Sequence, residues 1–219
     1  MEKKFFENPM ITKSFIKNYY IDFIKCIENI DEKLLLQITN LIISKIRKNC
    51  QIFVAGNGGS SSVANHFLCD FNKGIMLSSK YKLKPKIISL SNSLEMITAI
   101  SNDINYEEIF SLQLKNYAKQ GDCIVCFSCS GKSKNILNLI KYANQNKIDV
   151  IFFQGFGSKA KKIKTKFYFN LKHENYGITE DIFSSIMHVM SQYIRAQYVK
   201  KKTNLIVFKK IIYLFSFYN

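Results

Sequence analysis

The chain has 219 residues, 47% of them hydrophobic, which is enough for one ordinary domain with a sizeable core. Charged residues make up 22% and there are only two prolines, a composition that excludes a disordered or collagen-like chain. The net charge of +16 fits nucleic acid, anionic lipid or small anionic substrates. The sequence contains no apolar run of membrane-spanning length and begins without the apolar region of a signal peptide. We therefore expect a cytoplasmic protein with no membrane partner.

Two helices are predicted first, because apolar residues recur at helical spacing over 16–30 and, after a possible N-cap at Asp31, over 35–46. Apolar runs then alternate with helical patterns. The runs predict strands at 51–55, 86–90, 122–127, 150–153 and 166–171. The helical patterns cover 61–72, 94–100, 106–117, 136–143 and 178–193. This alternation predicts an α/β fold with a parallel sheet covered by helices on both faces.

The order of these elements predicts that the chain has three parts. Residues 1–50 form an N-terminal helical arm that packs on the core, and residues 51–202 form the sheet domain. Residues 203–219 form an apolar tail broken by Lys209 and Lys210, for which packing or disorder is favoured over a membrane role. We expect one domain overall.

Six cysteines include the spacing Cys123, Cys126 and Cys129, which superficially resembles an iron–sulfur run. The segment 122–127 is predicted as a buried strand, on which residues three apart point to opposite faces. Reduced core cysteines are therefore the favoured interpretation.

Two predicted strand-to-helix junctions are rich in glycine and serine. The first is Gly56-Asn57-Gly58-Gly59-Ser60-Ser61-Ser62 and the second is Ser128-Cys129-Ser130-Gly131-Lys132-Ser133. Ligands bind outside the carboxyl ends of parallel strands, and the free N–H groups at a helix start favour an anion. The second loop is not a Walker motif, because Cys126 occupies the position of the upstream glycine. Two such loops predict a phosphate-binding site.

The segments VAGNGGSSSVANHFLCDF, SNDINYEEIF and CIVCFSCSGKSKNILNLI resemble the sugar isomerase (SIS) domain, and more narrowly its phosphoheptose isomerase branch. The discriminating feature is GNGGS with a histidine six residues after the serine, and the resemblance covers about residues 10–200. It implies a five-stranded parallel sheet flanked by helices in a flavodoxin- or Rossmann-like three-layer sandwich. It also implies a homotetramer with active sites between subunits.

The resemblance assigns substrate binding to three segments. It implies that the substrate contacts the first loop, the Asn-Asp pair of the second segment and the serine loop. The residues are Asn57, Gly58, Gly59, Ser60, Asn102, Asp103, Ser128, Cys129, Ser130 and Ser133.

His66 and Asp70 are four residues apart on one predicted helix, a workable metal-ligand spacing that an exposed polar helix face also explains. His188 lies among apolar residues of the last helix, where a histidine is more often part of the core. The resemblance implies zinc bound by His66, Asp70, Glu180 and His188. The family usually has Glu where Asp70 stands and Gln where Glu180 stands.

Helix geometry limits this ligand set. Glu180 and His188 are eight residues apart, about 12 Å along a helix. Both bind one ion only if Glu180 reaches down from the helix start or if subunits share the site. Asp181 is therefore an alternative metal ligand to Glu180, or a residue that hydrogen-bonds to the ligands.

The resemblance implies isomerisation of sedoheptulose 7-phosphate to D-glycero-D-manno-heptose 7-phosphate through an enediol, for a surface polysaccharide. Candidates for proton transfer are His188, Glu180 and Asp70. His188 or Glu180 is favoured for this role, with His66 and Asp70 mainly as metal ligands. One alternative is a non-catalytic SIS module that binds a phosphosugar and regulates a partner, and another is an isomerase for a different phosphosugar. The histidine and carboxylate set favours an enzyme, because a binder needs only the serine loops. Dispersed lysines and the lack of a recognisable nucleic-acid motif predict no nucleic-acid partner.

Overall fold

The computed structural model describes residues 13–157 and 163–199, so the predicted tail lies outside the described residues. Five parallel strands form one sheet in the order β2-β1-β3-β4-β5. The strands are β1 Ile52–Gly56, β2 Ile87–Ser89, β3 Cys123–Ser128, β4 Asp149–Gln154 and β5 Phe167–Asn170. The helices are α1 Lys13–Glu28, α2 Glu32–Arg47, α3 Gly59–Cys69, α4 Met76–Ser78, α5 Leu94–Asp103, α6 Ser111–Tyr117, α7 Lys134–Gln145 and α8 Tyr176–Ala196.

Two hydrophobic clusters cover the two faces of the sheet. Helices α2, α3 and α8 contribute to the first cluster, while α5, α6 and α7 contribute to the second. Cys123 lies in the first cluster and Cys126 in the second, as residues three apart on a strand require. The central strands β1 and β3 are buried along their whole length, which explains why they are continuous apolar runs. The predicted three-layer α/β fold is confirmed.

The two N-terminal helices differ in how much of their apolar surface is buried. The N-cap of helix α2 is Asp31, whose Oδ1 accepts the Leu34 N–H at 2.9 Å. Ile38 and Ile42 of this helix are fully buried in the first cluster. Helix α1 packs through Tyr19 and Phe23 against that cluster. Much of its remaining apolar surface, including Ile16, Tyr20, Ile24 and Ile27, is exposed.

Two of the predicted helices are interrupted. The helix predicted over 61–72 widens into a π-helical segment at Asp70–Ile75, where the Asn72 side chain exchanges two 2.9 Å hydrogen bonds with the Ile87 backbone. The helix predicted over 106–117 is a 3-10 turn, Tyr106–Glu108, followed by α6. Among the described residues, no helix is both long and apolar enough to cross a membrane.

Candidate active site

The loop after β1 owes its shape to two glycines. Gly58 has a φ of +55°, which favours glycine, and it stands directly before α3. A Cβ at Gly59 would collide with the Glu180 carboxylate. The N-terminus of α3 can therefore approach α8 closely, and its first N–H groups face the carboxyl edge of the sheet.

The serine loop after β3 uses its hydroxyls unequally. Ser128 Oγ is buried and accepts the Gly131 N–H at 3.1 Å, and Ser130 Oγ accepts the Lys132 N–H at 3.2 Å. Gly131 has a φ of +66° and packs against the Gln154 amide, where a Cβ would not fit. Ser133 stands at the N-cap of α7 without a side-chain capping hydrogen bond. Within residues 13–157 and 163–199 its hydroxyl has no hydrogen-bond partner, so it can donate to a ligand.

The two loops meet at Glu180, near the start of α8. The Glu180 carboxylate accepts from Ser60 Oγ at 3.3 Å and from Cys129 Sγ at 3.6 Å, and the Ser60 and Cys129 side chains are also 3.6 Å apart. Cys129 is only 4% exposed, and burial raises the pKa of its thiol to about 12. Cys129 is therefore a neutral thiol, and this loop lacks the thiolate that a nucleophilic cysteine needs.

A second cluster joins the end of α3 to the middle of α8. His66 Nε2 lies 3.5 Å from Asp70 Oδ1 and 3.4 Å from His188 Nε2, and His188 Nε2 lies 3.9 Å from Asp70 Oδ2. One ligand atom from each residue falls within 4.8 Å of the others, so the three residues could hold a metal ion. Asp70 begins the π-helical segment, and wider turns of this kind occur often at functional sites.

Two of the carboxylates considered from the sequence lie outside this cluster. Glu180 lies between the loop after β1 and the serine loop, and eight residues of α8 separate it from His188 by about 12 Å. Asp181 Oδ2 accepts the Tyr19 hydroxyl of α1 at 2.8 Å. That tyrosine stays protonated, since burial, assisted by the Asp181 carboxylate, raises its pKa to about 12.

The remaining predicted site residues are near the carboxyl edge or have partners of their own. Asn102 donates to Asp103 at 2.9 Å, and both side chains are exposed. The Asn57 amide pairs with Asn135 and accepts from Tyr106. Neither Asn135 nor Tyr106 had a role predicted from the sequence. One signal in the sequence could have identified Asn135. It is a polar residue on the face of α7 that carries the apolar residues Leu139 and Ala143.

Comparison with known proteins places this geometry in a family. The profile of the SIS domain matches residues 18–155, more than half of the chain. The chain belongs to the SIS domain family. A probable phosphoheptose isomerase from Thermoplasma acidophilum is 30% identical over 162 residues, which are 74% of this chain and 87% of the relative. A phosphoheptose isomerase from Helicobacter pylori is 37% identical over 122 residues, 54% of this chain and 60% of the relative.

The fold has the same relatives. A solved phosphoheptose isomerase from Francisella tularensis superposes with a TM-score of 0.75 at 23% identity, covering 86% of this chain and 100% of that one. The resemblance read from the three sequence segments is confirmed, and it places this SIS domain with the phosphoheptose isomerases, a family of enzymes.

Proposed function

We propose that the protein interconverts sedoheptulose 7-phosphate and D-glycero-D-manno-heptose 7-phosphate, in the synthesis of heptose for a surface polysaccharide. The observation that carries the proposal is the convergence of His66, Asp70 and His188 on one point in a domain of the phosphoheptose isomerase family. Binding a phosphosugar needs only the two loops at the carboxyl edge. A separate set of two imidazoles and a carboxylate adds what proton transfer and carbonyl activation need.

The phosphate end of the substrate is assigned to the serine loop. The Ser133 hydroxyl, the Ser130 side chain and the N–H groups at the start of α7 donate to its oxygens. Glu180, between this loop and Ser60, accepts from sugar hydroxyls. The positive net charge of the chain favours capture of the anion, an effect that salt weakens.

The reacting end of the sugar is assigned to the cluster of His66, Asp70 and His188. Two imidazoles and a carboxylate fit zinc in a catalytic site, which has three protein ligands and an open position. Bound zinc supplies Lewis acidity that makes the proton next to the carbonyl easier to remove. His66, Asp70 and His188 would hold the ion, with one ligand atom from each side chain.

Proton transfer is assigned to Asp70. A ligand nitrogen that donates its lone pair to a metal is not a free base, which removes His66 and His188 from that role while the ion is bound. The second oxygen of Asp70 keeps its lone pairs and is the candidate that takes the C1 proton, which gives an enediolate, and returns it to C2 while the hydroxyl proton passes from O1 to O2. Glu180 is about 12 Å from His188 along α8 and is assigned to substrate binding.

A homotetramer is part of the proposal. Exposed apolar side chains of α1 and α8, among them Tyr20, Ile24, Val189 and Tyr193, offer a surface that a second copy of the chain would bury. Light scattering coupled to size exclusion should give four chains per particle. A monomer would contradict the tetramer without touching the assignment of the reaction.

The test of the reaction is an assay of the purified protein with sedoheptulose 7-phosphate, before and after treatment with a chelator. We expect formation of the heptose 7-phosphate, loss of activity on chelation, and recovery when zinc is restored. An inactive protein that binds the phosphosugar with and without zinc would instead support a regulatory binding module. Activity on a shorter phosphosugar alone would retain the isomerase and change its substrate.

A further inference from the structure

The two substrate loops are joined by a pair of asparagine side chains. Asn57, in the loop after β1, donates from Nδ2 to Asn135 Oδ1 at 2.9 Å, and Asn135 Nδ2 donates back to Asn57 Oδ1 at 2.9 Å. Asn135 stands two residues after the serine loop, in the first turn of α7, and is only 2% exposed. A carboxamide is the side chain that can give and accept in this paired arrangement.

The orientation of both amides is fixed by their neighbours. Asn135 Oδ1 also accepts the Ile136 N–H at 2.9 Å, which identifies this atom as the oxygen. Asn57 Oδ1 also accepts the Tyr106 hydroxyl at 3.1 Å. With its oxygen held by two donors, Asn57 presents its second Nδ2 hydrogen in one direction. That hydrogen has no partner among residues 13–157 and 163–199.

The 3-10 turn that carries Tyr106 is itself attached to α7. Lys134 Nζ lies 2.7 Å from Glu107 Oε1, and Asn138 Nδ2 donates to Glu108 Oε1 at 2.9 Å. The segment after Asn102 and Asp103, the glycine loop and the start of α7 are therefore linked through side chains. Asn135 is the buried member of this network.

We propose that Asn135 is a positioning residue that aims the free Nδ2 hydrogen of Asn57 at the bound phosphosugar. Its own burial keeps it from touching the substrate, so it acts through Asn57. The proposal rests on the proposed function for the identity of the ligand. The orientation of the Asn57 side-chain amide is a property of the folded chain, so it can be measured without an assay of the reaction.

The decisive substitution is Asn135→Asp, which keeps the size of the side chain and the oxygen that accepts from Ile136. It removes the donor to Asn57 Oδ1 and sets a second oxygen against it, so the Asn57 carboxamide turns away. Loss of one buried hydrogen bond corresponds to about a tenfold change in an equilibrium constant. We expect KM for sedoheptulose 7-phosphate to rise about tenfold, with kcat within about threefold.

Three further measurements complete the test. Tyr106→Phe removes one of the two donors to Asn57 Oδ1 and should raise KM by about threefold. Asn144→Ala, which removes an amide at the far end of the same helix that donates to the Lys164 carbonyl at 2.9 Å, should leave KM unchanged. In NMR, the Asn57 Nδ2 hydrogen that is bonded to Asn135 should exchange slowly in the wild type and fast in Asn135→Asp.

The outcomes separate this proposal from the one on which it rests. If Asn135→Asp lowers Tm but leaves both KM and the exchange of the Asn57 amide unchanged, Asn135 is only structural and the proposal is overturned. If the wild type lacks isomerase activity, the proposed reaction fails. The Asn57 exchange rates in the wild type and the variant still decide whether Asn135 sets the aim of that amide.

Discussion

Two polar clusters of this protein contain similar groups but are built differently. At the amino end of the sheet, Lys45 Nζ lies 2.8 Å from Asp149 Oδ2 and donates to the Gly121 carbonyl at 2.5 Å, while Lys166 lies 3.1 Å from the same carboxylate. There each charge meets an opposite charge or a backbone dipole. In the cluster of His66, Asp70 and His188, lone-pair-bearing atoms face one another at 3.4–3.9 Å.

The difference supports the proposal that the second cluster binds a metal ion. The Lys45 side chain is 10% exposed and fully paired, as a buried charge must be. The His66 side chain is 53% exposed and that of His188 is 40% exposed, and Asp70 pairs with no lysine or arginine in the part of the chain that the structure describes. A metal ion would bind where several lone-pair-bearing atoms converge and no lysine or arginine of the protein neutralises them.

The largest expected effect comes from emptying the second cluster. His66→Ala should lose bound zinc and lower kcat by at least about 10³-fold, because the ion loses one of three ligands. His188→Ala should behave in the same way. Metal analysis and the isomerase assay test both, and Tm should stay close to the wild-type value because both side chains are substantially exposed.

His173→Ala is the matched control for these variants. His173 is the third histidine of the chain, and its Nδ1 accepts the Asn175 N–H at 3.2 Å, away from the cluster. It should keep its metal and activity. Full zinc occupancy in His66→Ala would remove that residue from the site, and a fully active His188→Ala would refute the enzyme assignment of the whole cluster.

The next largest effect is on kcat, and it distinguishes the roles of Asp70 and Glu180. Asp70→Asn keeps an oxygen that can bind the ion but loses the base, so kcat should fall by about 10²–10⁴-fold with metal still bound. Glu180→Gln makes the same chemical change at the carboxylate that contacts Ser60 and Cys129. Its kcat should stay within about threefold of the wild type.

Steady-state kinetics and metal content of the two amide variants decide between these roles. A loss of about 10²-fold or more in Glu180→Gln, with Asp70→Asn still active, would move proton transfer to Glu180. Equal zinc loss in Glu180→Gln and His66→Ala would make Glu180 a metal ligand. Since one chain does not bring Glu180 to His66, Asp70 and His188, the four ligands would then have to come from neighbouring subunits.

A smaller effect on KM is expected from an N-cap serine that makes no capping hydrogen bond, in contrast to one that caps its helix. Ser133 Oγ makes no capping bond, whereas Ser93 Oγ accepts the Met96 N–H at 3.4 Å at the start of α5. Ser133→Ala should raise KM by about tenfold with little change in kcat, because phosphate binding is alike in the ground and transition states. Ser93→Ala should lower Tm slightly and leave KM as it is. An unchanged KM in Ser133→Ala would contradict the phosphate assignment.

The smallest effect on catalysis is expected at the amino end of the sheet. Burial by itself raises the pKa of Asp149, but hydrogen bonds and charges from Lys45 and Lys166 outweigh it and hold the pKa below its usual 3.8. The carboxylate therefore stabilises the fold above about pH 3.8, and this contribution is lost as pH falls through the lower pKa of the folded state. Asp149→Asn should lower Tm by about 5 °C at pH 7 and leave kcat unchanged.

Thermal melts of Asp149→Asn and the wild type over a pH series test this sign. The difference in Tm should narrow below about pH 3.8, where the wild-type carboxylate takes up its proton. A difference that stays constant down to acid pH would mean that the ion pairs contribute nothing and that the variant acts through packing.

The sequence by itself determined the elements whose signals are local. Apolar runs predicted all five strands, most clearly the central strands β1 and β3, which are buried on both faces, whereas the edge strand β5 is mostly half-buried. Asp31 predicted the start of α2 through its capping oxygen. The glycine and serine loops were placed correctly at strand ends, since a glycine with positive φ and a helix N-terminus are local features. The pairing of His66 with Asp70 followed from a spacing of four along one helix.

Tertiary structure decided which distant side chains meet. His188 joins His66 and Asp70 because α8 packs across α3, while Glu180, eight residues earlier on the same helix, lies beside Ser60 and Cys129. The contacts of Tyr19 with Asp181 and of Asn57 with Asn135 join residues 162 and 78 positions apart, which no periodicity encodes. Sequence patterns report the surface that one helix or strand presents, whereas a site between elements depends on how those elements pack.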